Sequence, residues 1–259
     1  MKTVADHVQE FDQAHAEALR RIWVVGDVHG QSKPLLRALE RSPLPAPAWL
    51  VFVGDIDLDP EVGSFRQWLK PIYELQPKLR VAWIPGNHDS DQQDRWERLL
   101  DCGPALPLHG KVLDMDGVRV AGMGGVFMGK VWRPPEAALM PERRDLAKRP
   151  LKRQELQHPP PPALHTAIYE AEWLALGCQR ADILITHEAP SPHPYGFEAI
   201  DDLARALGVV RAFHGHHHDD LTAEYQAHRE RTGFEAVALA FCGVKTAAGE
   251  LVAPGMPGW

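Results

Sequence analysis

The amino-acid sequence predicts an α/β fold whose strands are buried on both faces and carry polar, chemistry-bearing residues at their C-terminal ends. Three observations lead there. Five apolar, β-rich runs each end in a polar turn containing Gly or His. Several of these runs are spaced as successive strands of βαβ units are. An apolar stripe of helical period lies between two of them.

The runs are IWVVGDVHG at 22–30, WLVFVGDID at 49–57, VAWIPGNHD at 81–89, ILITHEAP at 183–190 and VVRAFHGHHH at 209–218. Their hydrophobicity is continuous rather than alternating, as expected of strands covered on both faces. From Asp27 to Asp55 is 55 − 27 = 28 positions, from Asp55 to Asn87 is 87 − 55 = 32, and from His187 to His216 is 216 − 187 = 29. A right-handed βαβ crossover takes roughly 30 residues and returns the chain to the same end of the sheet. The polar turns therefore converge at the strands' carboxyl ends, where open α/β sheets bind ligands.

Helices are expected over 34–41 and over 197–207, where Phe197, Ile200, Leu203, Ala204 and Leu207 form the stripe and Gly208 closes it. The interval from Asn87 to His187 is 187 − 87 = 100 positions, far more than one crossover needs. Its first part, KVLDMDGVRVAGMGG at 111–125, reads as a hairpin turning at Asp116-Gly117 and implies a second sheet. The stretch at about 127–165, with a His-Pro-Pro-Pro-Pro run at 158–162, reads as a basic, Pro-rich insertion or lid within a single domain spanning 1–259. Within 130–153, Lys130, Arg133, Arg143, Arg144, Lys148, Arg149, Lys152 and Arg153 face Glu136, Glu142 and Asp145, a local excess of 8 − 3 = 5 positive charges. Such an arm suits an extended polyanion.

Composition narrows the function. A net charge of −7, from 28 Lys+Arg against 35 Asp+Glu, disfavours a general nucleic-acid binder. The three cysteines, Cys102, Cys178 and Cys242, have no C-x-x-C spacing and indicate no disulfide framework or zinc knuckle. No run of 18 or so apolar residues and no leader-like segment is present, so no membrane partner and a cytoplasmic location are expected.

Singly, each polar turn is a weak motif, but their ordered set is specific: Asp-Val-His-Gly at 27–30, Gly-Asp at 54–55, Gly-Asn-His-Asp at 86–89, Thr-His at 186–187 and Gly-His-His-His at 215–218. Over about 27–218 this set resembles the calcineurin-like metallophosphoesterase superfamily. The resemblance implies a two-sheet β sandwich flanked by helices, in α/β/β/α layers, that hydrolyses phosphomonoester or phosphodiester bonds. It implies that Asp27, His29 and His218 hold one divalent metal ion, that Asn87, His187 and His216 hold a second, and that Asp55 bridges them. Imidazole with carboxylate and amide oxygens suits manganese, iron, zinc or nickel, and manganese is the expected ion. Two such ions about 3.5–4 Å apart clamp the attacking and leaving oxygens and make hydroxide available at neutral pH. A hydroxide bridging the two ions is the expected nucleophile.

By the same resemblance His88 is the general acid. The carboxylate that orients it is open: relatives often place an aspartate three residues after the bridging one, which is Leu58 here, leaving Asp57, Asp59 and Asp89 as candidates. The arginines that grip phosphomonoesters in the serine/threonine phosphatase branch are missing from Leu58-Asp59-Pro60 and from Pro85 to Asp89. The Gly-His-x-His ending resembles the broader branch of phosphodiesterases, nucleotide hydrolases and nucleases. Nucleotide and nucleic acid therefore stand among the phosphoester substrates. An inactive metal-binding scaffold is the competing reading, and oligomeric state is not legible. His217 is expected to point away from its two neighbours, and His7, His15, His214 and His228 to play structural or solvated roles.

Overall fold

The computed structural model describes residues 2–148 and 162–256. Two mixed sheets form the frame. The first has the order β11-β10-β1-β2-β3-β4, with β1 Ile22–Val25, β2 Trp49–Phe52, β3 Arg80–Trp83, β4 Leu106–Pro107, β10 Val244–Thr246 and β11 Leu251–Ala253. The second has the order β5-β6-β7-β8-β9, with β5 Lys111–Met115, β6 Val118–Met123, β7 Ile183–Thr186, β8 Arg211–His214 and β9 Glu235–Ala238. Strands β1 to β4 run parallel, as do β6 to β9. The five apolar runs are thus divided between two sheets, three in the first and two in the second.

Strand alternation explains why these runs are apolar throughout. Val24, Val51 and Ala82 from the first sheet meet Val120, Ile183, Ile185, Phe213 and Val237 from the second in one buried layer. The intervening residues point outward: Trp23, Val25, Leu50 and Phe52 pack under α2 (Lys33–Arg41), α3 (Phe65–Leu75) and α4 (Gln93–Leu100). Leu184 and Ala212 pack under α5 (Glu170–Gly177) and α6 (Glu198–Leu207). With period-2 side chains and both faces covered, every position of β1, β2 and β7 is buried.

The local signals act as expected. Ser64 and Gln67 cap α3 reciprocally. Gly208, at φ 75°, ends α6 in the left-handed conformation. Asp116 and Gly117, both at positive φ, make the tight turn between β5 and β6. The α1 helix (Val4–Arg21) leads straight into β1, and the antiparallel pair β10–β11 closes the outer edge of the first sheet.

Residues 149–161, with Arg149, Lys152 and Arg153, lie outside the described residues. Much of the remaining excursion between β6 and β7 is packed. Phe127, Val131, Trp132 and Leu164 are buried against the outer face of the second sheet, and Val126 bridges Ala167. Arg143 is held by Glu172 at 2.7 Å and by the His165 carbonyl at 2.9 Å, Arg144 pairs with Glu142, and Arg133 lies over the Phe197 ring. The charges of Arg143 and Arg144, which the sequence offered to a polyanion, already have carboxylate partners.

Candidate metal centre

Every sequence-predicted ligand lies just beyond a strand's C-terminal end: Asp27 and His29 after β1, Asp55 after β2, Asn87 after β3, His187 after β7, and His216 and His218 after β8. The first sheet supplies Asp27, His29, Asp55 and Asn87. The second supplies the other three. His29, Asp55, His216 and His218 all have positive φ, at 40°, 46°, 72° and 60°. Non-glycine residues adopt this region at a cost, and such strain concentrates at functional sites.

The side chains converge. Asp27, His29, Asp55 and His218 present ligand atoms within 4.8 Å of one another, as do Asp55, His187 and His216, so Asp55 belongs to both groups. His29 Nε2 and His218 Nε2 are 3.1 Å apart. Two nitrogens each about 2.1 Å from one ion would be separated by roughly 3.0 to 3.4 Å. In the second group His187 Nε2 is 3.0 Å from Asn87 Oδ1 and 3.3 Å from Asp55 Oδ2. The distal ring nitrogens are already committed: His187 Nδ1 donates to the Val53 carbonyl at 2.9 Å, and His29 Nδ1 pairs with Asp57 Oδ2 at 2.9 Å. Each ring is thereby fixed with Nε2 turned toward the other candidate ligands, His29 Nε2 to His218 and His187 Nε2 to Asn87 and Asp55.

The donor set fits a cation by a further criterion. Among the described residues, Asp27 Oδ1 and Asp55 Oδ2 are buried without a hydrogen-bond partner, a costly arrangement for carboxylates that a bound cation would offset. Their other oxygens are held by backbone, Asp27 Oδ2 by the His216 amide at 2.7 Å and Asp55 Oδ1 by the His88 amide at 2.8 Å. Close approach requires glycine beside them. A Cβ on Gly86 would stand 2.2 Å from Asp55 Oδ1, and one on Gly215 would stand 2.2 Å from Asp27 Oδ1.

The field of this pocket is negative. Burial alone would lower the His187 pKa, but the Asp55 and Asp27 carboxylates outweigh it and push it up to about 10. Asp55 moves down from the usual carboxylate range, because His187 and His29 overcome its own burial. The partial burial of His216, with His187 beside it, brings its pKa down to about 3. A third group of possible ligands, Glu188, His216 and His217, shares His216 with the second. His217 stacks on His193, with centroids 3.8 Å apart.

The carboxylate behind His88 is none of the three that sequence spacing offered. Asp57 serves His29, and Asp59 accepts from Arg95. Asp89, raised to about 7 by burial and the nearby Asp55 charge, accepts the Asp57 and Gly86 amides. His88 Nδ1 instead meets Asp91 Oδ2 at 2.8 Å. A three-residue offset in a tight helical turn was the available signal. Glu188, Asp91 and Arg95 were not singled out from sequence.

Comparison with known proteins bears on the family and the fold. The family profile described as calcineurin-like phosphoesterase matches residues 20–220. An uncharacterized protein of Haemophilus influenzae is 31% identical over 220 residues, covering 84% of this chain and 92% of the relative. TT1561 of Thermus thermophilus superposes with a TM-score of 0.50 at 14% identity, covering 87% of this chain and 94% of its own. A second solved structure gives 0.53 at 13%, covering 88% and 95%. These two likenesses bear on the fold. No described helix is long and apolar enough to cross a membrane. On the family match and the gathered ligand set, the chain belongs to the calcineurin-like phosphoesterases, metal-dependent hydrolases of phosphoesters.

Proposed function

We propose that this protein hydrolyses phosphoesters with two divalent metal ions, manganese first among manganese, iron, zinc and nickel. Asp27, His29 and His218 hold one ion; Asn87, His187 and His216 hold the other; Asp55 is shared. The observation that carries the reading is Asp55 itself, a member of both ligand groups with one buried oxygen that accepts no hydrogen bond among the described residues. When bound, the cations supply Lewis-acid charge for the phosphoryl oxygens and acidify water into a nucleophile at neutral pH.

The chain's own residues do the rest. Asp57 and the Val53 carbonyl fix the His29 and His187 rings, and the His216 and His88 amides fix the two carboxylates. The His88 side chain is 46% exposed, more than the buried or half-buried ligands around it, and stands where a substrate can approach. It donates a proton from Nε2 to the leaving oxygen, while Asp91 accepts from Nδ1. The loops at 58–60 and 85–89 hold no arginine to grip a phosphomonoester, which favours diesters and nucleotides as substrates. The three free cysteines fit a reducing, cytoplasmic setting.

The test is a panel of phosphomonoester, phosphodiester, nucleotide and single-stranded DNA or RNA substrates, run on metal-stripped protein reloaded with each of the four metals. Turnover that depends on added metal is expected, greatest with manganese. Two bound ions per chain with no turnover on any class would point to the scaffold reading instead.

A further inference from the structure

We propose that Arg95 is a positioning residue that keeps the metal ligand His29 and the proton donor His88 in register, by pairing closely with the carboxylate behind His29 and placing its charge within ion-pair range of the carboxylate behind His88. Arg95 lies in the first turn of α4, with its side chain only 17% exposed. Its Nη1 pairs with Asp57 and stands 3.8 Å from Asp91 Oδ2, and its Nη2 donates to Asp59 Oδ1 at 2.8 Å. Asp57 in turn holds His29 Nδ1 at 2.9 Å, and Asp91 holds His88 Nδ1 at 2.8 Å. The two imidazoles meet edge to face, with centroids 5.4 Å apart. His29, Asp57, Arg95, Asp91 and His88 thus form a closed ring of contacts between a candidate ligand and the candidate acid.

Three carboxylates crowd one point here and repel one another unless a cation lies among them. A guanidinium suits the position because its planar fork carries five donors and keeps its charge at every relevant pH. Simple anchoring of α4 to the loop after β2 does not account for Arg95, since Arg98 already supplies it one turn later. Arg98 donates to the Leu58 carbonyl at 2.9 Å and pairs with Asp94 at 2.7 Å. Both of those partners lie outside the ring around His29 and His88.

The rate arm of the test rests on the phosphoesterase reading; the metal arm does not. Manganese binding to stripped protein is measured by calorimetry, and turnover is measured on aryl and alkyl phosphoesters, for Arg95→Ala, Arg95→Lys and Arg98→Ala. Arg95→Ala is expected to weaken manganese binding on the order of 10- to 100-fold, the usual effect of losing support behind a ligand. It should also lower kcat more on the alkyl ester than on the aryl ester. In an Asp57→Asn background most of the loss in metal affinity should disappear, and in an Asp91→Asn background most of the leaving-group effect should disappear. Arg95→Lys should fold as the parent does and still bind manganese more weakly, so it carries the test if the alanine variant unfolds. Additive losses in both backgrounds, parental manganese affinity in Arg95→Lys, or an equal loss in Arg98→Ala would each overturn the proposal. If the parent turns over no phosphoester, the phosphoesterase reading fails, while the manganese titrations still decide whether Arg95 supports His29.

Discussion

His88 Nδ1 and Asp91 Oδ2 lie 2.8 Å apart, an imidazole and a carboxylate three residues apart at a helical turn. The contact leaves Nε2 as the nitrogen available to a leaving oxygen. His88→Ala should keep its metals and lose about 10²- to 10⁴-fold in rate, the usual worth of a general acid. The loss should be smaller on nitrophenyl than on alkyl phosphoesters, because a good leaving group needs less protonation. Steady-state rates on such a pair check this, and equal losses on both would assign His88 to positioning instead.

Asp55 is the carboxylate common to both ligand groups. Asp55→Ala should therefore reduce metal stoichiometry and nearly abolish turnover together. Elemental analysis at saturating manganese reads the first and initial rates the second. An active variant, or an unchanged stoichiometry, would end the shared-ligand assignment.

Gly86→Ala places a methyl group 2.2 Å from Asp55 Oδ1 and 2.4 Å from the Asp55 amide nitrogen. The loop must move, at a cost of about 1 to 3 kcal/mol for overpacking. Metal affinity should fall with it. Gly129, where a Cβ meets nothing within 4 Å, is the control, and its alanine variant should stay within about 0.5 kcal/mol of the parent. Urea denaturation and manganese titration of both variants measure the difference.

Glu172 ties the excursion to α5. Burial would raise its pKa, but hydrogen bonds from His109 and Arg143 outweigh it and bring it down from the ordinary 4.5 to about 2. A depressed carboxylate contributes stability that is fully present above its unfolded pKa and is lost as pH falls through the folded one. Glu172→Gln should therefore be less stable than the parent near pH 6, by about 1 to 3 kcal/mol. The gap should close between about pH 4.5 and pH 2. Denaturation midpoints across that range test it, and a gap independent of pH would remove Glu172 from the ionic account.

Much of this was legible in the sequence, because the signals were local. The runs ending at Asp27, Asp55, Asn87, His187 and His216 read as strands from their own composition, and the turn at Asp116-Gly117 announced its hairpin. What stayed hidden was non-local. Nothing in the spacing separates β7 and β8 into their own sheet, since pairing is decided by partners far along the chain. Asp91 and Arg95 sit in a run of charged residues that reads as a solvated helix start. The burial of Val131, Trp132 and Leu164 within a Pro-rich excursion leaves no periodic trace. The positive φ of four ligand residues belongs to the folded loops alone.

The division of the ligands between the two sheets has a thermodynamic consequence. Asp27, His29, Asp55 and Asn87 follow strands of one leaf, and His187, His216 and His218 follow strands of the other, so a bound cation would be held from both. A cation held from both sides would act as a clasp across the open end of the sandwich, and slip of one leaf past the other would disturb its coordination. Binding that requires the folded arrangement adds about 2.7 kcal/mol at one hundred times the dissociation constant. On the proposed ligand set, the supply of metal in the surroundings would help set how well the two leaves stay joined, and starvation for it should register as heat sensitivity as well as lost turnover.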